Sequence, residues 1–163
     1  MEAAAATVID TPREAVVEIV DDPETQQRVT PALTGIADVQ QKSDGGRRML
    51  YGYAVFGLVL TGVLETTVYE PPERVHFEMR GRFDGEIRWT FESLADDRTR
   101  FRYAASYDLS WLPLRSLTGP LVTPLVAWYT RRDLRRAVEN TRELVEAETR
   151  RDRDTASARQ HRA

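Results

Sequence analysis

The chain has 163 residues, of which 41% are hydrophobic and 30% charged, a composition typical of one globular domain with its own core. Its formal net charge of -3 argues against a general nucleic-acid-binding protein, because such proteins carry a surplus of positive charge. The chain has no cysteine, which excludes disulfides, thiol catalysis and cysteine-based metal sites. The first ten residues lack the basic region and long apolar stretch of a signal peptide, so we expect a cytoplasmic protein.

Two short helices are predicted after a first strand at residues 3–10. The TPRE that follows this strand has the pattern of a capping box, with Thr11 as N-cap and Glu14 three residues later. This pattern predicts a helix to about Asp21, and a second short helix is predicted to begin near Pro23.

The middle of the chain changes from a helical to a strand-like period. Turns are predicted at SDGG, EPPER, GRFDG and ADDRT, where glycine, proline and aspartate interrupt the alternating segments. Consecutive strands joined by short turns predict an antiparallel meander rather than a parallel sheet. The predicted strands cover residues 36–41, 47–56, 58–69, 75–80, 85–94 and 100–109.

A long helix is predicted to about Glu148. One face is expected to be buried, and the other, with its arginines, its glutamates and Asp133, to be a solvated, salt-bridged surface. Residues 149–163 carry charge and no aliphatic residue larger than alanine, so we expect one domain over 1–148 and a disordered tail. The expected buried face comprises Trp128, Leu134, Val138, Thr141 and Val145.

The inner face of the predicted sheet is rich in aromatic side chains, including several tyrosines. Two interpretations remain open from the residues. The tyrosines either pack in a filled core with their hydroxyl groups at the rim, or they line an apolar cavity between the sheet and the long C-terminal helix and orient a ligand there. No carboxylate, histidine or arginine can be placed on this face from the alternation.

No catalytic or metal-binding constellation is predicted. His76 alternates with inward residues and His161 lies in the tail, which argues against a metal site and a histidine-based triad. The carboxylate pairs at 21–22 and 96–97 lie in predicted turns, where solvated or capping carboxylates are the rule. We therefore expect no metal and no cofactor.

Five segments in order resemble the START-like (SRPBCC) superfamily of helix-grip proteins, most closely its polyketide cyclase/dehydrase and coenzyme-Q-binding-like branch. The resemblance covers about Ala3 to Glu148. It implies an α+β fold in which a seven-stranded antiparallel sheet wraps around a long C-terminal helix and encloses a hydrophobic cavity. The segments are VIDTPREAVVEIVDD, VYEPPERVHFEMRG, RFDGEIRWTFES, TRFRYAASYDL and GPLVTPLVAWYTRRDLRRAVENTRELVEAE.

The resemblance also implies which residues line the cavity. Residues 109–129 are apolar, but Arg115 and three prolines within them exclude a membrane span. Residues 109–118 are instead expected to form a loop, with Trp111, Leu112 and Leu114 at the cavity mouth. The lining would comprise Tyr51, Tyr53, Leu64, Phe77, Met79, Trp89, Phe91, Tyr103 and Tyr107 from the sheet, and Leu121, Leu125 and Trp128 from the helix.

Three functions are compatible with these residues. The first is a non-catalytic carrier or sensor of a hydrophobic small molecule, such as a lipid, an isoprenoid quinone or a polyketide, with transient membrane contact through Trp111 and Leu112. The second is a cyclase or dehydratase with Tyr53, Tyr103 or Tyr107 as proton donor, although no partner that would activate a tyrosine is evident. The third is a module whose sheet or arginine-rich helix binds another protein. The carrier is the preferred hypothesis.

Overall fold

The computed structural model describes residues 1–82, 84–108 and 119–160, with side chains for all of these except 119–123 and 159–160. Its elements, in chain order, are β1 (Glu2–Ile9), α1 (Arg13–Val20), α2 (Pro23–Val29), β2 (Leu33–Gln41), β3 (Arg47–Val55), β4 (Leu58–Glu70), β5 (Arg74–Gly81), β6 (Gly85–Leu94), β7 (Arg98–Tyr107) and α3 (Gly119–Gln160).

The strands form one antiparallel seven-stranded sheet in the order β1-β7-β6-β5-β4-β3-β2. Strands β2 to β7 are consecutive neighbours, as short turns between alternating segments require. Strand β1 pairs with β7 along its whole length, from Glu2 opposite Ser106 to Ile9 opposite Thr99. The predicted α+β helix-grip fold, with two short helices after the first strand, is confirmed.

Helix α3 packs a stripe of apolar side chains against the core. Leu134, Val138 and Val145 are at most 2% exposed, as the predicted buried face requires. The prediction that Trp128 lies on this face is wrong, because it is 54% exposed. At about 100° per residue, it lies about 120° around the helix axis from Leu134, so its apolar character does not bring it to the core.

The start of α1 differs from the predicted capping box. Thr11 is fully buried and makes no cap; the N-cap is Pro12, without a side-chain hydrogen bond. The Thr11 hydroxyl donates to Oγ1 of Thr149 at 3.4 Å, and its carbonyl accepts from Oγ1 of Thr99 at 2.7 Å. Contacts with α3 and β7 thus override the local cap. The start of α2 is as predicted, because the Asp22 side chain accepts from the Thr25 N–H.

The end of α3 also differs, because the helix continues to Gln160 rather than ending near Glu148. Once a helix has been nucleated by tertiary packing, each further residue adds a hydrogen bond at low cost, so exposed polar residues extend it. The division of the chain into a domain at 1–148 and a separate tail stays a prediction.

Among the described residues, no helix combines the length and the apolarity that crossing a bilayer demands.

Candidate functional site

A small apolar cavity lies between the inner face of the sheet and helix α2. It has a volume of about 40 Å³, and no described side chain of α3 lines it. Partly buried side chains of β2, β3 and β4, among them Leu33, Tyr53 and Leu64, form part of its wall. The lining comprises Gln26, Thr30, Leu33, Ile36, Met49, Tyr51, Tyr53, Leu64, Met79, Ile87, Trp89, Tyr103 and Tyr107.

Most of the sheet residues expected at the cavity do reach it. The seven that line it are Tyr51, Tyr53, Leu64, Met79, Trp89, Tyr103 and Tyr107. Phe77 and Phe91 are buried in the surrounding core instead, where their rings pack against Trp89 and Phe101 respectively. Whether any of these residues binds a ligand stays a prediction.

Two of the helix residues expected at the cavity, Leu125 and Trp128, do not line it. Leu125 is 51% exposed and Trp128 is 54% exposed, with the Arg132 guanidinium 5.4 Å from its ring centre. Leu125 lies about 180° around the helix from Leu134, which explains its position. Trp111, Leu112, Leu114 and the side chain of Leu121 lie outside the described residues.

The tyrosine hydroxyl groups occupy an environment that disfavours their ionisation. Burial is the largest cause in each case, since it removes water from around a phenolate. It raises the pKa of Tyr51 to about 12, and it raises the pKa values of Tyr53, Tyr103 and Tyr107 well above the usual 10.0. A free tyrosinate base is therefore not available near neutral pH.

Asp133 supplies the carboxylate that the sequence alternation could not place. It is 6% exposed, and its Oδ2 accepts a hydrogen bond of 2.5 Å from the Tyr53 hydroxyl. Burial raises the pKa of Asp133 above 3.8, against the opposing effects of the Tyr53 hydrogen bond, the Arg136 charge and the Ala32 N–H. The expectation that Asp133 lies on a solvated helix face is wrong.

A second, outer pocket of about 120 Å³ adjoins Asp133. One turn before Asp133, the Tyr129 hydroxyl donates to the carbonyl of Ala54 at 3.3 Å, and its ring packs 4.8 Å from that of Phe56. Two successive turns of α3 are thereby joined to the end of β3. The outer pocket is lined by Pro31, Ala32, Ala54, Tyr129, Arg132, Asp133 and Arg136.

Gly62 leaves the room that Tyr51 occupies. A Cβ atom at this position would lie 2.8 Å from the Tyr51 hydroxyl oxygen and 2.4 Å from the carbonyl oxygen of Arg80. Both distances are below van der Waals contact, and the backbone atom has no freedom to move aside. The tyrosine-lined wall therefore depends on this glycine of β4.

A second tyrosine–carboxylate contact lies away from the cavity, in an open groove beside α1. Asp21 pairs with Arg47 and accepts a hydrogen bond of 2.9 Å from the Tyr69 hydroxyl. Burial raises the pKa of Asp21 above 3.8, although Arg47 and Tyr69 act in the opposite direction. The expectation of a solvated or capping carboxylate holds for Asp22 but not for Asp21.

Sequence reasoning missed two groups of residues: four apolar cavity residues of the sheet, Leu33, Ile36, Met49 and Ile87, and three buried polar residues. Gln26, Thr30 and Asp133 are all at most 7% exposed. For Asp133 a signal was present, because it continues the helical series of Thr130, Leu134 and Ala137, which are all buried. For Gln26 and Thr30 no comparable signal exists, since burial of α2 depends on how the sheet curves.

Comparisons with known proteins agree with this architecture. The sequence model of the family "Polyketide cyclase / dehydrase and lipid transport" matches residues 1–146. The comparison with curated proteins gives no significant match.

Several solved structures share the fold. The protein TTHA0849 from Thermus thermophilus has a TM-score of 0.75 at 20% identity, with 91% of this chain and 99% of that chain covered. The Zhui aromatase/cyclase from Streptomyces sp. R1128 has a TM-score of 0.78 at 11% identity, with 91% and 95% covered. A START superfamily protein from Mycobacterium smegmatis has a TM-score of 0.70 at 18% identity, with 88% and 98% covered.

These identities establish only the common fold, whereas the family match extends over nearly the whole chain. The chain belongs to the polyketide cyclase/dehydrase and lipid transport family.

Proposed function

We propose that this protein binds a hydrophobic small molecule, carrying at least one carbonyl or hydroxyl group, in the cavity beneath the inner face of the sheet. The observation that carries the proposal is the lining: an apolar wall interrupted by tyrosine hydroxyl groups, one of them hydrogen-bonded to a buried carboxylate. Such a wall favours an apolar body and orients a polar group on it.

The buried indole of Trp89 supports a ligand with a hydrogen-bond acceptor. Its Nε1 is buried and makes no well-aligned hydrogen bond with the described residues, although the Tyr103 hydroxyl lies nearby. A buried donor without a good acceptor costs about 1–3 kcal/mol. A carbonyl oxygen of a ligand would recover part of that cost.

The cavity must widen when a ligand enters. Its volume of about 40 Å³ is far below the roughly 300–1,000 Å³ of ligand pockets. Among its lining residues, Leu33 and Leu64 are partly buried and pack at the margin of the core. Ligand binding is therefore expected to involve displacement at β2 and β4.

A fluorescence titration with N-phenyl-1-naphthylamine, a neutral apolar probe, tests the proposal. We expect saturable binding to the unmodified protein and at least tenfold weaker binding to Leu64→Trp, which fills the cavity. Leu58→Trp places the same side chain at a position that is 68% exposed and should change the affinity less than twofold. Absence of saturable binding, or equal losses in the two variants, would contradict the proposal. Native mass spectrometry of purified protein gives an independent search for a retained ligand.

A cyclase or dehydratase is the second candidate function. The contact between Tyr53 and Asp133 favours it, because it gives a cavity tyrosine the partner that the sequence did not reveal. The third hypothesis, a protein partner on the arginine-rich helix, stays a prediction; Arg131, Arg132, Arg135 and Arg136 are exposed. The expected membrane contact falls on Trp111 and Leu112, outside the described residues.

A further inference from the structure

The contact between Tyr53 and Asp133 separates two spaces. Tyr53 lines the inner cavity, whereas Asp133 lines the outer pocket. The hydroxyl group of Tyr53 also forms a hydrogen bond with that of Tyr107 inside the cavity. A continuous chain of hydrogen bonds thus runs from the cavity interior to a carboxylate at the outer pocket. That pocket, at about 120 Å³, exceeds the roughly 15 Å³ that one water molecule requires.

We propose that Tyr53 and Asp133 form a proton relay that enolises a ketone bound in the inner cavity, with Tyr53 as the catalytic residue and Asp133 as the proton acceptor behind it. The inference rests on the proposed function, since the ketone must first enter the cavity. The substrate class is an apolar molecule with a C–H bond next to a carbonyl group.

The relay moves protons without forming a tyrosinate. The Tyr53 oxygen accepts a proton from the carbon next to the carbonyl while its own hydroxyl proton passes to the Asp133 carboxylate. The ketone becomes an enolate, Asp133 becomes a carboxylic acid, and Tyr53 is neutral before and after. The reverse transfer returns a proton to carbon or oxygen of the enolate. Asp133 then exchanges its proton with water at the outer pocket.

The surroundings of Asp133 suit a proton acceptor better than a fixed structural charge. Tyr53 faces it from β3, Tyr103 and Tyr107 act on it from β7, and Arg136 is the cation whose charge acts on it from its own helix. The segment before β2 contributes a backbone N–H from Ala32. Its raised pKa makes the carboxylate a stronger base than an exposed aspartate.

Deuterium exchange into 2-tetralone, a two-ring apolar ketone with acidic hydrogens next to its carbonyl, tests the relay in D₂O by proton NMR. We expect the protein to accelerate exchange above the buffer rate, and Tyr53→Phe and Asp133→Asn each to reduce this acceleration about 100-fold, within the range of general acid–base contributions. Asp133→Glu should restore at least a tenth of it. Tyr69→Phe removes a hydroxyl group outside the cavity and should leave the rate unchanged.

The pH profile distinguishes a proton acceptor from a merely structural residue. The buffer-corrected rate should rise as Asp133 ionises and then level off, and this rise should be missing in Asp133→Asn. Saturation-transfer NMR on the same samples measures whether 2-tetralone binds, and far-UV circular dichroism checks that each variant is folded.

Binding without exchange, or unchanged exchange in Tyr53→Phe and Asp133→Asn, would overturn the relay and leave the proposed function intact. No binding of 2-tetralone would count against the proposed function itself.

Discussion

Asp21 and Asp133 are both mostly buried, and each accepts a hydrogen bond from a tyrosine. Their electrostatic surroundings differ. Asp21 is paired with Arg47, whose side chain is 9% exposed, at the edge of an open groove. Asp133 has exposed arginines around it and no ion pair among the described residues, and its tyrosine lines a cavity.

The difference shows that the same pair of side chains can be used in two ways. The carboxylate of Asp21 forms an ion pair with a buried guanidinium, so this cluster joins α1 to β3 and β4. Among the described residues, the charge of Asp133 is balanced by hydrogen bonds from Tyr53 and Ala32 and by the charge of Arg136. A carboxylate in that position is the one whose protonation responds to a ligand.

Replacement of Arg47 by methionine should have the largest effect. It leaves the Asp21 carboxylate without its cation, and breaking a buried pair in this way costs about 3–5 kcal/mol. The free energy of unfolding, measured by urea denaturation at neutral pH, should fall by about 3 kcal/mol or more. Arg136→Met removes an exposed arginine beside Asp133 and should change it by less than about 0.5 kcal/mol. Equal losses would mean that the two carboxylates do not differ as described.

Removal of each tyrosine hydroxyl should have an intermediate effect. Tyr53→Phe takes a hydrogen bond from a carboxylate that has no ion pair among the described residues and should lower the free energy of unfolding by about 2 kcal/mol. Tyr69→Phe should lower it by about 1 kcal/mol, because Asp21 retains Arg47. The opposite order in urea denaturation would contradict the assignment of the buried arginine as the main stabiliser of Asp21.

The smallest expected effect is the change in the free energy of unfolding with pH that results from the ionisation of Asp133. The pKa of Asp133 is raised in the folded state, so ionisation favours unfolding, and stability is lost as the pH rises from about 3.8 through the raised value. The variant Asp133→Asn has no carboxylate to ionise at this position. It also lacks one of the two acceptor oxygens, which lowers its stability by the same amount at every pH.

The stability of Asp133→Asn relative to the unmodified protein should therefore increase as the pH rises from about 3.8 through the raised pKa of Asp133. Urea denaturation at several pH values measures this difference. Asp21→Asn serves as the matched variant, because it leaves Arg47 buried without its partner and should be less stable than the unmodified protein at neutral pH. A pH-independent difference for Asp133→Asn would contradict a raised pKa.

The sheet was predictable because its period is short and rigid. Alternation in β3 placed Tyr51 and Tyr53 on the inner face, and a slip of one residue would have moved both to the outside. The buried face of the long helix was harder to predict. Trp128 is apolar, but it lies about 120° around the helix axis from Leu134 and so does not share that face. Asp133 lies in a run of arginines and therefore resembled a surface residue. Its burial results from contacts with Tyr53 and Ala32, which are remote in sequence, so no local pattern fully determines it.

The two contacts between α3 and the end of β3 have a mechanical consequence. Tyr129 and Asp133 form hydrogen bonds with the adjacent residues Ala54 and Tyr53. We therefore expect the end of β3 to stay fixed against α3 when the rest of the cavity wall moves. Strand β2 lies beside β3 at the edge of the sheet, and its first residue, Leu33, pairs with Tyr53, but its register with β3 is interrupted further along. We expect an incoming molecule to push β2 and α2 outward. The amide hydrogens of β2 and α2 should therefore exchange with solvent faster in the free protein than in the ligand-bound protein.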